Sequence, residues 1–243
     1  MSKKQDLLIE IGTEELPPKS LKRLATAFHQ EICAGLKDNG LDFSETSWLA
    51  SPRRLAVIVN QLEISQSDKQ QQRRGPAISA AFDDDGKPTR ATEGFAKSCG
   101  VAVDQLGKLE TEKGSWLVFD TLVKGKQTKE LIPDMVNMAL KRLPIAKRMR
   151  WGNNDFEFVR PIKWILLLLG TETIDCEIMG VRSGKHSYGH RFHHPGAIKI
   201  KQAAEYVEAL KQNGKVVADY NERRSLIKDQ VEKLATKNNG AAI

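Results

Sequence analysis

The sequence is organised around one run, Phe158-Val159-Arg160-Pro161-Ile162-Lys163-Trp164-Ile165-Leu166-Leu167-Leu168-Leu169-Gly170. The apolar part of this run, Ile165–Leu169, is far too short to span a bilayer, which requires about 20 apolar residues. A short continuous apolar segment that is closed by a glycine is typical of a strand buried on both faces. We therefore predict a core strand at Ile165–Leu169.

Cationic and aromatic residues flank this predicted strand on both sides. Met149-Arg150-Trp151-Gly152 precedes it, and Ser183–His194 follows it with Lys185, Arg191 and four histidines. Cationic side chains bind phosphates, and flat aromatic side chains stack on unpaired bases. The pattern therefore predicts a buried strand that holds an RNA-facing surface in place.

The composition is that of a folded, moderately basic protein. The 243 residues are 40% hydrophobic, and 38 Lys and Arg against 31 Asp and Glu give a net charge of +7. A cationic surplus favours a polyanionic partner without requiring one. The N-terminus carries no apolar signal region, so we expect a cytoplasmic protein. Cys33, Cys99 and Cys176 fit neither a disulfide framework nor a Cys-x-x-Cys metal site, so we expect reduced, mostly buried thiols.

The spacing of apolar residues predicts an α+β fold with mixed, largely antiparallel sheets, packed helices and two subdomains. The predicted strands are Leu7–Ile11, Leu55–Val59, the hairpin of Leu109–Glu112 and Trp116–Lys124, Ile165–Leu169 paired with Thr173–Met179, Ala197–Ile200 and Lys215–Ala218. The predicted helices are Ser20–Leu36, Thr89–Ser98, Thr128–Leu143, Gln202–Gln212 and Asn221–Lys237. Residues 61–76 are polar and are predicted to form a linker or exposed loop.

The predicted elements divide the chain into three segments. Residues 1–65 form a strand–helix–strand unit, and residues 66–145 form a hairpin and helix region. Residues 146–243 form a strand-rich region with the basic, histidine-containing loop and the C-terminal helices. The last helical pattern ends with no recognisable closing element, so we expect the chain to be part of something longer.

Two groups of residues are candidate RNA contacts outside the histidine-rich segment. They are Arg53, Arg54, Lys147, Arg148, Arg150 and Trp151. The first two lie between two predicted strands, where paired arginines would project from one end of a sheet and bind phosphate. The others form a stretch without acids, and its tryptophan has the flat face needed to stack on a base. The alternative for the arginine pair is a solvated turn. The alternative for the acid-free stretch is a solvated helix end with a half-buried tryptophan.

Four of the five histidines, His186, His190, His193 and His194, lie within nine residues. One interpretation is a metal site, because His186 and His190 would share one face of a helix. Gly189 and Pro195-Gly196 favour a loop instead, and a His-Glu-x-x-His pattern is absent. We favour a mixed structural and binding role, in which His190 acts with Lys185 and Arg191 on phosphate or holds the loop.

The sequence predicts binding rather than catalysis. It contains no nucleotide phosphate loop, nucleophile elbow, Cys-His nucleophile signature or Rossmann fingerprint. Glu14 and Glu15 could form a catalytic carboxylate pair, but adjacent acids before a predicted helix are more often capping groups. No catalytic residue and no metal ligand is therefore assigned.

Several spaced motifs resemble one known family. The motifs are Leu8–Pro17, Ser51–Ala56, Arg74–Pro76, Met149–Gly152, Phe158–Trp164 and Gly189–Phe192. In this order they resemble the N-terminal third of the β subunit of bacterial heterotetrameric glycyl-tRNA synthetase, over essentially the whole chain. Members of that family are much longer, so the resemblance implies a fragment that ends after the helix Asn221–Lys237.

The resemblance implies an enzyme of two α and two β subunits that joins glycine to tRNA(Gly) using ATP. It implies that the α subunit carries the class II catalytic core with ATP and Mg, so no cofactor is expected in this fragment. It also implies that the β subunit supplies tRNA binding, with its anticodon-binding region near the C-terminus. Part of that subunit resembles the tRNA-editing module of phenylalanyl-tRNA synthetase, which supports an α+β fold.

Three hypotheses follow. In the first, this segment binds tRNA and contributes to subunit assembly. In the second, it is a metal-dependent hydrolase that uses the cluster His186–His194. In the third, it is a scaffold that packs on the α subunit and does not touch RNA. The candidate RNA-binding residues of the first are Arg53, Arg54, Lys147, Arg148, Arg150, Trp151, Lys185, His190 and Arg191.

Overall fold

A computed structural model describes residues 3–83, 85–112 and 114–242. Its strands are β1 (Lys4–Thr13), β2 (Thr46–Ser51), β3 (Arg54–Glu63), β4 (Lys69–Ala77), β5 (Gly107–Thr111), β6 (Gly114–Val123), β7 (Met149–Arg150), β8 (Glu157–Phe158), β9 (Ile162–Leu169), β10 (Glu172–Thr173), β11 (Glu177–Ile178), β12 (Val181–Gly184), β13 (His186–Tyr188) and β14 (Ala197–Lys199). Its helices are α1 (Pro18–Asp38), α2 (Ile78–Ala81), α3 (Arg90–Cys99), α4 (Thr128–Arg142), α5 (Tyr206–Gln212) and α6 (Tyr220–Lys237), with short 3₁₀ helices at Val103–Gln105 and Ala203–Glu205. Sheets that are mostly antiparallel, packed with helices, confirm the predicted α+β class.

The chain divides into two compact units. One contains the described residues up to Gln66 together with those from Lys126 onward, and the other is Ser67–Gly125. The second unit is a sheet in the order β4-β6-β5 with α2 and α3. The hairpin predicted there is confirmed as β5 and β6, while Lys113 at its turn lies outside the described residues. Helix α4, which the sequence division groups with residues 66–145, belongs to the first unit.

The first unit is built on a mixed sheet in the order β11-β12-β9-β1-β3-β2, and β10 also pairs with β9. Strand β1 is antiparallel to both β3 and β9, whereas β12 is parallel to β9. The predicted core strand is confirmed, and β9 is buried along its length except at Lys163. The sheet therefore has its most apolar strands, β1 and β9, side by side at its centre.

Helices and loops cover both faces of the central strands. Because side chains alternate across a strand, Leu7, Ile9 and Ile11 of β1 lie on one face, where they share a core with α1 and α4. Leu8 lies on the opposite face, in a second core with side chains of β9, β14 and α5. Burial on both faces explains why β1 and β9 are continuous apolar runs rather than alternating ones.

Several predicted elements differ from the structure. Residues 61–76 are not one continuous loop, because β3 continues to Glu63 and β4 begins at Lys69, although the boundary between the two units does fall within this stretch, between Gln66 and Ser67. The predicted strand Thr173–Met179 is divided, since Glu172–Thr173 pairs with β9 and Glu177–Ile178 pairs with β12. Lys215–Ala218 is not a strand.

The three cysteines, Cys33, Cys99 and Cys176, are free, and each is half-buried rather than buried.

Among the described residues, no helix combines the length and the hydropathy needed to cross a membrane.

Gly12 in β1 allows a tryptophan to lie directly on the sheet. Its cross-strand neighbours are Arg54 on β3 and Trp164 on β9. A Cβ atom at position 12 would lie 1.9 Å from Cε2 of the Trp164 indole. The indole is itself buried, so it cannot swing away into solvent. Glycine is therefore required here by close packing rather than by backbone conformation.

We expect Gly12→Ala to lower the free energy of unfolding by about 1–3 kcal/mol, because the added methyl group overpacks the site beneath the indole. Gly184→Ala is the matched control in the same sheet, since a Cβ there meets no atom within 4 Å. We expect the control to be neutral or stabilising by about 0.5–1 kcal/mol. Urea unfolding followed by circular dichroism measures both, and equal effects of the two substitutions would contradict the packing argument.

Candidate nucleic-acid interface

The candidate site lies at one end of the main sheet. Because β1 is antiparallel to its two neighbours, the C-terminal end of β1 lies beside the N-terminal ends of β3 and β9. The backbone beyond these ends is held together by hydrogen bonds, in which Thr13 N donates to Arg53 O (2.8 Å) and Glu14 N donates to Pro161 O (3.0 Å). Three segments that are distant in sequence thus meet at one edge.

A buried ion pair lies under this edge. Arg54 is 1% exposed and Glu10 is fully buried, with Arg54 Nη1 3.4 Å from Glu10 Oε1. The same carboxylate oxygen accepts hydrogen bonds from Trp164 Nε1 (3.1 Å) and Ser187 Oγ (2.9 Å). Arg54 also donates to Ser187 Oγ (3.3 Å) and to the carbonyl of Tyr188 (2.5 Å). The pair therefore fastens β13 to the sheet.

This position removes Arg54 from the candidate RNA contacts. Its guanidinium donates to groups inside the protein and has almost no surface to present to a phosphate. We reassign Arg54 as an internal anchor. Arg53 and Arg54 are adjacent, and adjacent side chains at a strand end point to opposite sides. The sequence does not show which of the two sides is buried, so it cannot tell the anchor from the exposed residue.

Two adjoining cavities open at this edge, and together we call them the basic groove. Their volumes are about 370 Å³ and about 740 Å³. The smaller is lined by Arg53, Lys163, Trp164, Tyr188, Gly189, Arg191 and Pro195. The larger is lined by Glu15, Ser51, Pro52, Arg53, Arg54, Gly189, His190, Arg191, Phe192, Lys215, Val216, Val217, Arg223, Ile227 and Gln230. Arg53 and Arg191 line both cavities, so the fold brings together two candidate residues from distant parts of the sequence.

Ion pairs and a ring contact hold the cations of the groove in place. Arg191 pairs with Glu14 and with Glu15 (3.3 Å), and Lys163 Nζ lies 3.8 Å from Glu14. Arg53 donates from Nε to the carbonyl of Thr13 (3.3 Å), and its guanidinium lies 5.4 Å from the Trp164 ring centroid. Partial burial, together with the nearby Arg191 charge, lowers the pKa of Arg53. The Glu14 and Glu15 carboxylates oppose this shift, and three cations against two acids leave this edge with a net positive charge.

Glu14 and Glu15 have a different role from the one predicted. Helix α1 begins at Pro18 with Pro17 as its N-cap, and no side chain caps it. The two carboxylates instead pair with Arg191 and Lys163 of the groove. The capping interpretation is therefore wrong, because Leu16 and Pro17 separate the acids from Pro18, the first residue of the helix.

The histidine-containing loop is an ordered turn. His190 N donates to Gly214 O (2.7 Å), and His194 N donates to His190 O (2.9 Å). The Nδ1 atom of His190 accepts from the backbone N–H groups of Phe192 (3.2 Å) and His193 (3.3 Å). Nδ1 acts as the acceptor, which is the neutral tautomer with its proton on Nε2. The ring thus holds the loop by accepting from backbone N–H groups, whereas the sequence predicted histidines that bond to backbone carbonyls or donate to phosphate.

The histidines do not support the metal hypothesis. Within residues 3–83, 85–112 and 114–242, no three His, Cys, Asp or Glu side chains are grouped so that they could hold a metal ion. The rings of His190 and His193 do lie close, with centroids 4.5 Å apart. The His190 ring, however, already uses Nδ1 to accept hydrogen bonds from the backbone N–H groups of Phe192 and His193.

The second predicted group of cations lies elsewhere. Arg148 donates to the carbonyls of Lys141 (2.7 Å) and Glu157 (3.3 Å), and Arg150 pairs with Glu157 (2.9 Å). Trp151 is half-buried against the first core. Neither cavity of the groove is lined by this group, which is Lys147, Arg148, Arg150 and Trp151, or by Lys185 of the histidine-containing segment. Their RNA contacts remain a prediction.

Three cations of the groove were not predicted. Lys163 is the exposed member of β9, and a single lysine next to the apolar run Ile165–Leu169 is the sequence signal for it. Lys215 and Arg223 lie beyond α5 and at the start of α6, and only the fold places them near Arg53. Arg223 donates to the carbonyl of Val217 (2.6 Å), and partial burial lowers its pKa.

The chain is similar to one family along nearly its whole length. A family model described as glycyl-tRNA synthetase beta subunit matches residues 7–243. The glycine–tRNA ligase beta subunit of Hahella chejuensis is 53% identical over 239 residues, which are 98% of this chain and 34% of the relative. That of Marinobacter nauticus is 50% identical over 236 residues, covering 97% of this chain and 34% of the relative. The chain thus spans about a third of the length of these curated relatives.

The buried ion pair predicts a pH-dependent cost of removing Arg54. We expect Arg54→Met to lower the free energy of unfolding by about 3–5 kcal/mol at pH 8, because it leaves the Glu10 carboxylate buried without a counterion. Burial already raises the pKa of Glu10, and the Arg54 charge opposes that shift. Without Arg54 the pKa of Glu10 in the folded state rises further. Above about pH 4.5, the Glu10 pKa in the unfolded chain, the folded variant therefore binds more protons than the unfolded chain, and its stability rises as the pH falls.

The loss of stability should therefore shrink as the pH falls from 8 towards 5. Urea unfolding of the wild type and the variant at each pH measures it. Arg182→Met is the control, since its partner Asp175 is exposed and surface pairs contribute little. A loss that stays constant, or that grows as the pH falls, would show that Glu10 is not the group left uncompensated.

Proposed function

The chain belongs to the glycyl-tRNA synthetase beta subunit family, and from this premise we propose that it is the tRNA-binding and assembly region of such a subunit. The complete enzyme would join glycine to tRNA(Gly) in an ATP-dependent reaction. A partner α subunit would carry the catalysis with ATP and Mg, in an α2β2 assembly. The residues of this chain would hold and orient the RNA.

The observation that carries the proposal is the convergence of cations on the basic groove. Arg53, Lys163, Arg191, Lys215 and Arg223 come from separate parts of the sequence and line two adjoining cavities. Cations that replace the counterions of a phosphate backbone supply most of the affinity for nucleic acid. The buried pair beneath them fixes their backbone before any RNA arrives, which reduces the entropy lost on binding.

The acids of the groove fit a binding role. Glu14 and Glu15 are engaged by Arg191 and Lys163. In that arrangement they position cations. An RNA phosphate would compete with these carboxylates for the guanidinium, and such competition favours ligands that bring several phosphates at once.

Helix α6 supports the assembly part of the proposal. None of its described side chains is buried, although it carries exposed apolar residues. These are Leu226, Ile227, Val231 and Leu234. Ile227, Val231 and Leu234 recur at helical spacing, which places them on one face of the helix. A contiguous exposed apolar face is typical of a surface that another protein covers.

We expect the double substitution Arg53→Gln and Arg191→Gln to weaken binding of tRNA(Gly) by about tenfold or more, because two charge-assisted phosphate contacts are lost. The slope of log affinity against log salt should fall by about 2 in magnitude. Filter binding or fluorescence anisotropy between 50 and 200 mM salt measures both quantities.

The matched control is Lys129→Gln with Arg182→Gln, which removes the same charge from two exposed ion pairs outside the groove. Equal effects of the two double variants would mean that net charge, not the groove, determines binding. Unchanged affinity in the groove variant would refute the assignment of the site. The same assay with Lys147→Gln and Arg150→Gln tests the second cationic group.

A further inference from the structure

Phe192 is displayed to solvent to an unusual degree. Its side chain is 82% exposed, the highest value among the large apolar residues of the part of the chain that the structure describes. Burying such a side chain would stabilise the protein by about 1.5–3 kcal/mol, and this fold does not use that free energy. A phenylalanine left outside in this way is available to another molecule.

The exposed ring stands on an ordered turn. His190 closes the turn by accepting the backbone N–H groups of Phe192 and His193, and His194 N donates back to His190 O. The turn is pinned at Gly189, where a Cβ atom would lie 2.7 Å from the carbonyl oxygen of Gly214. The backbone that carries the ring is therefore ordered in the unbound protein, and little backbone order remains to be gained on binding.

The surroundings of the ring are cationic. Phe192 lines the larger cavity of the basic groove together with Arg53, Arg191, Lys215 and Arg223. Glu15 is the one acid among the residues that line this cavity, and it already pairs with Arg191. Charged residues are depleted at the centre of protein–protein interfaces, whereas base-stacking aromatics in RNA-binding sites lie among cations. Charge complementarity thus favours a polyanion that also carries flat rings.

We propose that Phe192 is a stacking platform for one unpaired base of a bound RNA, with the adjoining phosphates held by Arg191 and Arg53. This inference rests on the proposed function and adds to it the kind of RNA element that the groove takes. Bases inside a duplex are already stacked on each other, so the element is a single-stranded end, loop or bulge. Stacking does not depend on base identity, so the platform adds affinity rather than sequence preference.

The test compares Phe192→Leu with Phe192→Tyr and Phe192→Trp in the 243-residue chain. Leucine keeps an apolar side chain of similar reach but has no π face, whereas tyrosine and tryptophan keep the face. We expect Phe192→Leu to weaken binding of tRNA(Gly) about 5- to 100-fold, and the two aromatic variants to stay within about threefold of the wild type. The salt dependence should be unchanged in all three, because no phosphate contact is lost.

A second measurement reports stacking directly. The added tryptophan of Phe192→Trp should be quenched by a single-stranded oligoribonucleotide more strongly than by a blunt duplex of equal length. Met138→Ala is the control for loss of an exposed apolar side chain, since Met138 is 52% exposed on α4 and lines neither cavity of the groove. We expect it to bind like the wild type.

The outcomes separate this proposal from the one on which it rests. If Phe192→Leu binds tRNA as the wild type does while the Arg53 and Arg191 double variant binds weakly, the stacking platform is refuted and the proposed function stands. Equal losses in the leucine, tyrosine and tryptophan variants would refute stacking in favour of a shape requirement. If Phe192→Leu retains tRNA but no longer assembles with an α subunit, the ring is a protein anchor and the proposal fails. A wild-type chain without affinity for either RNA would overturn both proposals.

Discussion

The ion pair between Arg54 and Glu10 is the interaction on which the site depends. Removing two charges from water costs several kcal/mol each, and mutual attraction offsets that cost only when hydrogen bonds satisfy the remaining polar atoms. Trp164 and Ser187 supply such bonds to Oε1 of the carboxylate, and the guanidinium reaches the backbone of Tyr188. The pair is satisfied only in part, since Glu10 Oε2 and Arg54 Nε have no hydrogen-bond partner among the described residues. Three strands and the start of the histidine-containing loop are thereby fixed to one another from inside the protein.

Close backbone packing completes what the ion pair begins. Gly12 lets the Trp164 indole lie on the sheet, and Arg53 in turn lies against that indole. Gly189 lets the loop approach Gly214, so that His190 N bonds to its carbonyl. The position of each exposed cation is thus set by contacts that are themselves buried. In a groove built in this way, the backbone that carries the charges is ordered before any ligand binds.

The exposed surface of the groove combines two chemistries. Arg53, Lys163 and Arg191 supply charge, and their ion pairs with Glu14 and Glu15 keep that charge oriented. Phe192 supplies an apolar face beside them, on a turn stabilised by a neutral histidine. Long-range attraction by the cations would bring a polyanion to the groove, and short-range contact with the ring would select unpaired segments of it.

The sequence by itself determined the fold class and the buried strand β9, and it singled out Arg53 and Arg191 as candidate residues without placing them together. These follow from local properties, namely an apolar run and the kinds of side chain beside it. Only the tertiary structure decided that Arg54 points inward while Arg53 faces the groove, that Glu14 and Glu15 orient cations, and that Lys215 and Arg223 join the site. Exposure and pairing depend on which strands become neighbours, and in this fold the contacts of Arg54 with Ser187 and of Trp164 with Glu10 join residues more than a hundred positions apart.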